Sequence, residues 1–184
     1  MTKLLPGNSR TLISSEDIAR RVGELARQVD ADYRDVDQLL ILGILRGAFI
    51  FIADLTRHLQ TPHIVDFMAL TSYIRSTSTG EVRILMDSRE PIKDQHILIV
   101  EDIIDSGSTL NHLCRTLRER EPASLRTCAL VRKKRANVSL DFPVDYIGFE
   151  IPDVWVVGYG LDYDNHYRTL PYIAELTNMG GDTM

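Results

Sequence analysis

Several things are scarce in this 184-residue chain: it has two cysteines, one tryptophan and a deficit of positive charge. Cys114 and Cys128 lack metal-ligand spacing, so buried reduced thiols are expected. The histidines (His58, His63, His96, His112 and His166) show no paired metal spacing either, which speaks against a structural zinc site. A formal net charge of -5 argues against a general nucleic-acid or membrane-surface binder, though it permits a local basic pocket. No apolar run reaches the length of a membrane span. No Gly-Lys-Thr follows a glycine-rich turn, which excludes a Walker A loop. There is no internal repeat. The opening Met1-Thr2-Lys3-Leu4-Leu5-Pro6 has neither a long apolar region nor a cleavage site, so the expectation is a soluble, cytoplasmic protein. With 44% hydrophobic residues, one sizeable core and a single domain over 1–184 are expected.

What is present centres on Ile97 to Leu110. Ile97-Leu98-Ile99-Val100 reads as a strand buried on both faces, followed at once by Glu101 and Asp102. Asp105 opens a loop of small residues, Ser106-Gly107-Ser108-Thr109, and Leu110, Leu113 and Leu117 then recur at helical spacing. Backbone N–H groups at such a helix N-terminus point at an anion; Gly107 lets the chain curl, and the hydroxyls add donors. Glu101 and Asp102 can accept from ribose hydroxyls, directly or through an oxygen-seeking divalent cation. Acids and serines would serve a plain sheet edge with a capped helix equally well, so spacing alone leaves both a sugar-phosphate site and a structural edge open.

The rest of the chain alternates strands with helical patterns, which predicts an α/β fold with a mostly parallel sheet. Ser14 reads as a helix cap with Asp17 three residues on, and Ile18, Val22, Leu25 and Val29 form the apolar stripe behind it. Leu39 to Leu45 is a buried-strand run ending in Leu45-Arg46-Gly47-Ala48, with Phe49, Ile52, Leu55 and Leu59 at helical spacing beyond. Arg46 therefore sits at the carboxyl end of a strand, where open α/β sheets place ligands, as a ligand group or an ion-pair partner. Ile64 to Leu70 is a third strand. Thr71 to Gly80 has the composition of a mobile loop, whether a lid or a hairpin extension, with Ile84-Leu85-Met86 returning. Leu125 to Val131 is a strand ending in Arg132-Lys133-Lys134-Arg135, a solvated face or an anion patch. Asp145 to Ile151 is a further strand. Trp155 beyond it has the usual fate of a core aromatic open to it, and Tyr163, Tyr167 and Tyr172 are expected to pack.

Val100-Glu101-Asp102-Ile103-Ile104-Asp105-Ser106-Gly107-Ser108-Thr109 resembles the phosphoribosyl pyrophosphate signature of type I phosphoribosyltransferases. Phe149 to Tyr163 resembles a second signature, that of their 6-oxopurine (hypoxanthine–guanine) branch. The resemblance runs from about Leu39 to Leu176 and implies a core at about 36–160, a small hood from the N- and C-terminal segments, and a flexible lid at about 71–84 carrying Ser72 and Tyr73. It implies transfer of 5-phosphoribose from phosphoribosyl pyrophosphate to N9 of hypoxanthine or guanine, with Mg2+. Glu101 and Asp102 then hold the ribose hydroxyls and, with Asp162, the metal. Ser106, Gly107, Ser108 and Thr109 anchor the 5′-phosphate. Arg46, Gly47 and Arg168 bind pyrophosphate; the family has a lysine where Arg46 stands and a cis peptide before it, a geometry that sequence leaves open for Leu45–Arg46. Asp105 meets the purine N7 edge as general base. Trp155 stacks on the ring, Val156 offers backbone to the base edge, and Lys133 donates to the 6-oxo group, with Arg132 and Lys134 as alternatives one residue away. The partners implied are these small molecules and further copies of the chain, as homodimer or homotetramer, with no nucleic acid and no membrane. Two other readings are a pyrimidine-operon RNA regulator of the same fold, disfavoured by the acidic balance, and a scaffold that lost catalysis, disfavoured by the joint presence of Arg46, Asp105, Asp162 and Arg168.

Overall fold

Ser14 is extended, and its hydroxyl accepts the amide of Asp17, so the cap read from sequence is formed. Helix α1 (Ser15–Asp32) buries Ile18, Val22, Leu25, Ala26 and Val29 on one stripe. Within it, a β-carbon added to Gly23 would meet nothing closer than the Arg27 guanidinium at 3.7 Å. Gly23→Ala should therefore raise stability by about 0.5–1 kcal/mol, through reduced backbone entropy of the unfolded chain. A urea titration would check this; a loss of stability would mean that the added methyl group disturbs the helix or the Arg27 side chain beside it.

The computed structural model describes residues 9–73, 81–135 and 140–177. Strands β2 (Leu39–Leu45), β3 (His63–Tyr73), β4 (Glu81–Met86), β5 (His96–Ile104), β6 (Ser124–Lys133) and β7 (Tyr146–Ile151) form one sheet in the order β4-β3-β2-β5-β6-β7. All neighbours are parallel except β3 and β4. Alternate residues of β2 and β5 feed opposite cores, which is why both read as continuous apolar runs. Leu39, Ile41, Leu98 and Val100 pack with α1 and α2 (Phe49–His58). Leu40, Leu42, Ile97 and Ile99 pack with α3 (Ser108–Arg118) on the other face. The predicted α/β sheet is thus present. A second sheet, β1 (Ser9–Ile13), β9 (Ile173–Leu176) and β8 (Val156–Val157) in the order β1-β9-β8, joins the two ends of the chain as the expected hood. Cys114 and Cys128 are buried and free. No helix among the described residues is long and apolar enough to cross a membrane.

Some boundaries differ from expectation. The acidic pair does not follow its strand but lies within it, because pairing of β5 with β6 continues through Glu101↔Ala129 to Ile104↔Arg132. Ser108 and Thr109 are not loop but the first residues of α3, since Gly107 takes the left-handed conformation (φ 78°) that turns the chain into the helix. Phe49, expected on the apolar stripe, is 40% exposed, and Phe51 fills the core instead. Tyr163 is also exposed, at the start of a Tyr163-Asp164-Asn165-His166 turn whose two central residues both have positive φ. In the expected lid, Ser72 and Tyr73 lie in β3 and pair with Val82 and Glu81 of β4 as an antiparallel hairpin, while residues 74–80 lie outside the described residues.

Candidate active site

β2 and β5 are parallel neighbours, yet the chain leaves β2 toward one edge of the sheet and β5 toward the other. This reversal opens a crevice beyond the carboxyl ends of the two strands. Their pairing stops at Gly43↔Val100. Beyond it the Leu45–Arg46 peptide is cis, and Gly47 lies so close to Asp102 that an added β-carbon would overlap the carboxylate. On the other side, a β-carbon on Gly160 would overlap the Gly47 carbonyl oxygen. Segments 45–47, 101–109 and 158–168, far apart in sequence, therefore meet around Gly47, the last through backbone and the second through the Asp102 side chain. Arg46 itself is exposed and, among the described residues, pairs with no carboxylate.

A cleft of about 210 Å³ is lined by residues 101–107 with Thr109 and Leu110. There the Ser106 hydroxyl donates to Ser108 Oγ at 3.1 Å and accepts the Ser108 amide at 3.4 Å, at the start of α3. Glu101 Oε2 is buried and has no hydrogen-bond partner. Burial and the neighbouring Asp102 charge push the Glu101 carboxyl well above the ordinary range. Burial likewise pushes Asp102 up to about 6, against the Ile103 amide and Arg168, with Asp162 adding to the rise. A polar atom left unpaired in such a place is costly unless a ligand completes it. Arg168 bridges the crevice wall: Nη1 donates to the Gly160 carbonyl at 2.7 Å and Nη2 pairs with Asp162 at 2.6 Å. In the free chain, two groups expected at pyrophosphate and metal hold each other.

The raised Asp102 has a consequence for stability. The folded chain retains a proton on it that the unfolded chain releases, so its contribution is present below the ordinary carboxylate range and is lost as pH rises through about 6. Asp102→Asn removes the buried charge. Its stabilising effect on the ligand-free chain should be larger at about pH 8 than at about pH 4.5, by on the order of 2 kcal/mol. Thermal melts of both proteins across that range decide it; an offset independent of pH would show that this carboxylate is not desolvated.

On the other side of β5 lies a charged ring. Lys133, 8% exposed, reaches Asp105 Oδ2 at 3.3 Å and Asp153 Oδ1 at 3.5 Å. Arg135 closes the ring, with Nη1 2.5 Å from Asp105 Oδ1 and Nη2 2.8 Å from Asp153 Oδ1. The Arg135–Asp105 contact is an ion pair without hydrogen-bond alignment, since Asp105 Oδ1 has no hydrogen-bond partner. Lys133 Nζ also lies 5.5 Å from the centroid of the Trp155 ring, which is 61% exposed and not part of the core. Of the three basic candidates, Lys133 alone turns to Asp105; Arg132 and Lys134 face away onto Glu150. Next to Trp155, the Leu176 amide donates to the Trp155 carbonyl at 2.9 Å. That bond makes Val156↔Glu175 a narrow pair, so the N–H and C=O of Val156 point outward from the free edge of β8. Arg135 and Asp153 were not singled out from sequence. Nothing in their spacing marks them, and only the folded loop brings them to Asp105.

Residues 10–164 match the model of the phosphoribosyl transferase domain family. A hypoxanthine-guanine phosphoribosyltransferase of Dictyostelium discoideum is 46% identical over 173 residues, covering 91% of this chain and 96% of its own. A crystal structure of a hypoxanthine-guanine phosphoribosyltransferase from Bacillus anthracis superposes with a TM-score of 0.85 at 39% identity, covering 90% of this chain and 97% of that one. A Trypanosoma cruzi hypoxanthine phosphoribosyl transferase, solved in work on how its C-terminal region affects oligomeric state and activity, superposes with a TM-score of 0.86 at 38% identity and covers 94% of each chain. With a family model over residues 10–164 and relatives that cover nine-tenths of the chain, the chain belongs to the phosphoribosyl transferase family, among its hypoxanthine–guanine members.

Proposed function

We propose that this protein is a purine-salvage enzyme that transfers 5-phosphoribose from phosphoribosyl pyrophosphate to N9 of hypoxanthine or guanine, giving IMP or GMP and pyrophosphate. The observation that carries this reading is the placement of Asp105. It stands between the anion-binding turn of α3 on one side and the Lys133–Trp155 pair, with the free backbone edge of Val156, on the other. A sugar phosphate seated on the first would present its anomeric carbon to a base seated on the second.

In the reaction, the bond from the anomeric carbon to pyrophosphate breaks and its electron pair leaves with pyrophosphate, while N9 forms the new bond and the purine gives up a proton. Asp105 receives that proton at the N7 edge as general base. Ser106, Gly107, Ser108 and Thr109 hold the 5′-phosphate, with backbone N–H groups and hydroxyls as donors. Arg46, Gly47 and Arg168 receive the pyrophosphate, where charge grows as the bond breaks. Trp155 stacks on the base, Lys133 donates to its 6-oxo group, and Val156 meets the base edge. Ser72 and Tyr73, at the end of β3, belong to the hairpin that closes over the centre and excludes water.

Mg2+ fits the donors present. Glu101 Oε2 is an orphaned buried oxygen beside Asp102, and Asp102 in turn feels the charge of Asp162. Magnesium takes oxygen ligands and keeps several waters, so an ion held by these carboxylates would fill its shell with substrate oxygens and water. When bound, it would offset the negative charge of the pyrophosphate. The protein is proposed to be cytoplasmic, to take only small-molecule substrates, and to assemble as a homodimer or homotetramer.

The test is nucleotide formation from phosphoribosyl pyrophosphate and magnesium, with hypoxanthine, guanine, xanthine, adenine and uracil in parallel. Turnover is expected on hypoxanthine or guanine and not on adenine. Absence of turnover on every purine would sink the assignment, and uracil turnover or tight RNA binding would move the protein to the regulator reading.

A further inference from the structure

Tyr159 occupies an unusual backbone position. Gly158, Tyr159 and Gly160 follow one another with φ values of 102°, 49° and 103°. Glycine adopts such angles freely, but a bulky residue does so rarely and only where its surroundings hold it. Here the Tyr159 amide donates to the Leu170 carbonyl at 2.8 Å, and the phenol donates to Asp54 Oδ2 at 2.5 Å. The ring is buried in the core between α2 and the sheet. Burial and the facing carboxylate both raise the phenol's pKa, which keeps it a hydrogen donor throughout the neutral range.

Asp54 lies on α2, the helix that begins directly after Arg46 and Gly47, and its other oxygen pairs with Arg57 one turn on. Tyr159 lies next to Gly160, whose carbonyl takes Arg168 and whose backbone rests on Gly47. We propose that the Tyr159–Asp54 hydrogen bond is a positioning contact that sets the spacing between the two pyrophosphate-binding segments, Arg46–Gly47 and Asp162–Arg168. The inference rests on the phosphoribosyl-transfer reading and assigns a task to two residues outside its site. The backbone contact between Gly47 and Gly160 limits how closely the segments approach, but it has no direction. The phenol–carboxylate bond supplies one. A phenylalanine would fill the same volume in the same core, so the hydroxyl adds orientation rather than packing.

Tyr159→Phe in the full chain separates the two contributions. The melting temperature is expected to change by no more than a few degrees. KM for phosphoribosyl pyrophosphate should rise about tenfold, as for loss of a hydrogen bond to a charged group, while KM for hypoxanthine stays within about twofold. Equilibrium binding of magnesium pyrophosphate should weaken in the same proportion. Asp54→Asn, which keeps an acceptor, should lie close to the parent. Asp54→Ala should match Tyr159→Phe, and the double variant should be no worse than either alone. An unchanged KM for phosphoribosyl pyrophosphate in Tyr159→Phe overturns the proposal, as does a parallel rise in both KM values, which would mark a general structural role. If the parent chain itself turns over no purine, the fault lies with the functional reading. The binding of magnesium pyrophosphate to parent and variant then still decides the role of the contact.

Discussion

Asp105→Asn should fold as the parent chain does and turn over hypoxanthine roughly 10²-fold or more slowly, the usual range for loss of a general acid–base group. The side chain keeps its size and one acceptor oxygen but can no longer take a proton. Stability should change little, because the carboxylate is 45% exposed and its two cationic partners, Lys133 and Arg135, both retain Asp153. The half-exposed Arg135 pair contributes little to stability, and the buried Lys133 keeps a carboxylate partner in Asp153. The variant is therefore a clean probe of chemistry, provided kcat is measured at saturating phosphoribosyl pyrophosphate and a melt is run beside it. Near-normal turnover would remove Asp105 from the mechanism and point to water as the proton acceptor.

Gly160→Ala is expected to have the larger effect on the molecule as a whole. Its φ of 103° is strained for any residue with a β-carbon, and that carbon would fall onto the Gly47 carbonyl oxygen. Left-handed strain costs about 1–2 kcal/mol, and forced repacking in a tight interior about 1–3 kcal/mol more. The clash is with backbone, not with the movable end of a side chain, so relief requires the Arg46–Gly47 segment to shift. Gly47 in turn lies against Asp102, which leaves it no slack on the far side. The variant should lose several kcal/mol of stability in a denaturant titration and, where still folded, lose at least about 10²-fold in kcat/KM for phosphoribosyl pyrophosphate. Retention of both would mean that the segments around Gly47 are looser than their contacts indicate.

Much of this arrangement was legible in the residues. The strand–turn–helix units after Leu39 and Ile97 follow from apolar runs and helical periodicity, and the strand-end positions of Arg46 and Glu101–Asp105 follow from those units. What spacing could not supply was the partner of each group. Long-range contacts close the charged ring through Arg135 and Asp153, pair Arg168 with Asp162, and set Tyr159 against Asp54. None of these pairs has a periodic signature. β1 escaped for the same reason: Ser9–Ile13 is short and half polar, and it becomes a strand only by pairing with β9 at the other end of the chain. The misplaced ends of β5 and the exposed Phe49 share another cause. Local composition marks where a strand or stripe could stop, but the neighbouring strand decides where it does.

Trp155 is the only indole in the chain, and it stands mostly in water beside a buried ammonium group. The protein's intrinsic ultraviolet emission above the tyrosine band therefore arises from a single point, and under the proposed reading that point is the face on which the base rests. Base binding converts a hydrated ring into a stacked one, so occupancy can be followed by light alone, without label or product, and its rate measured in stopped flow before any bond is made.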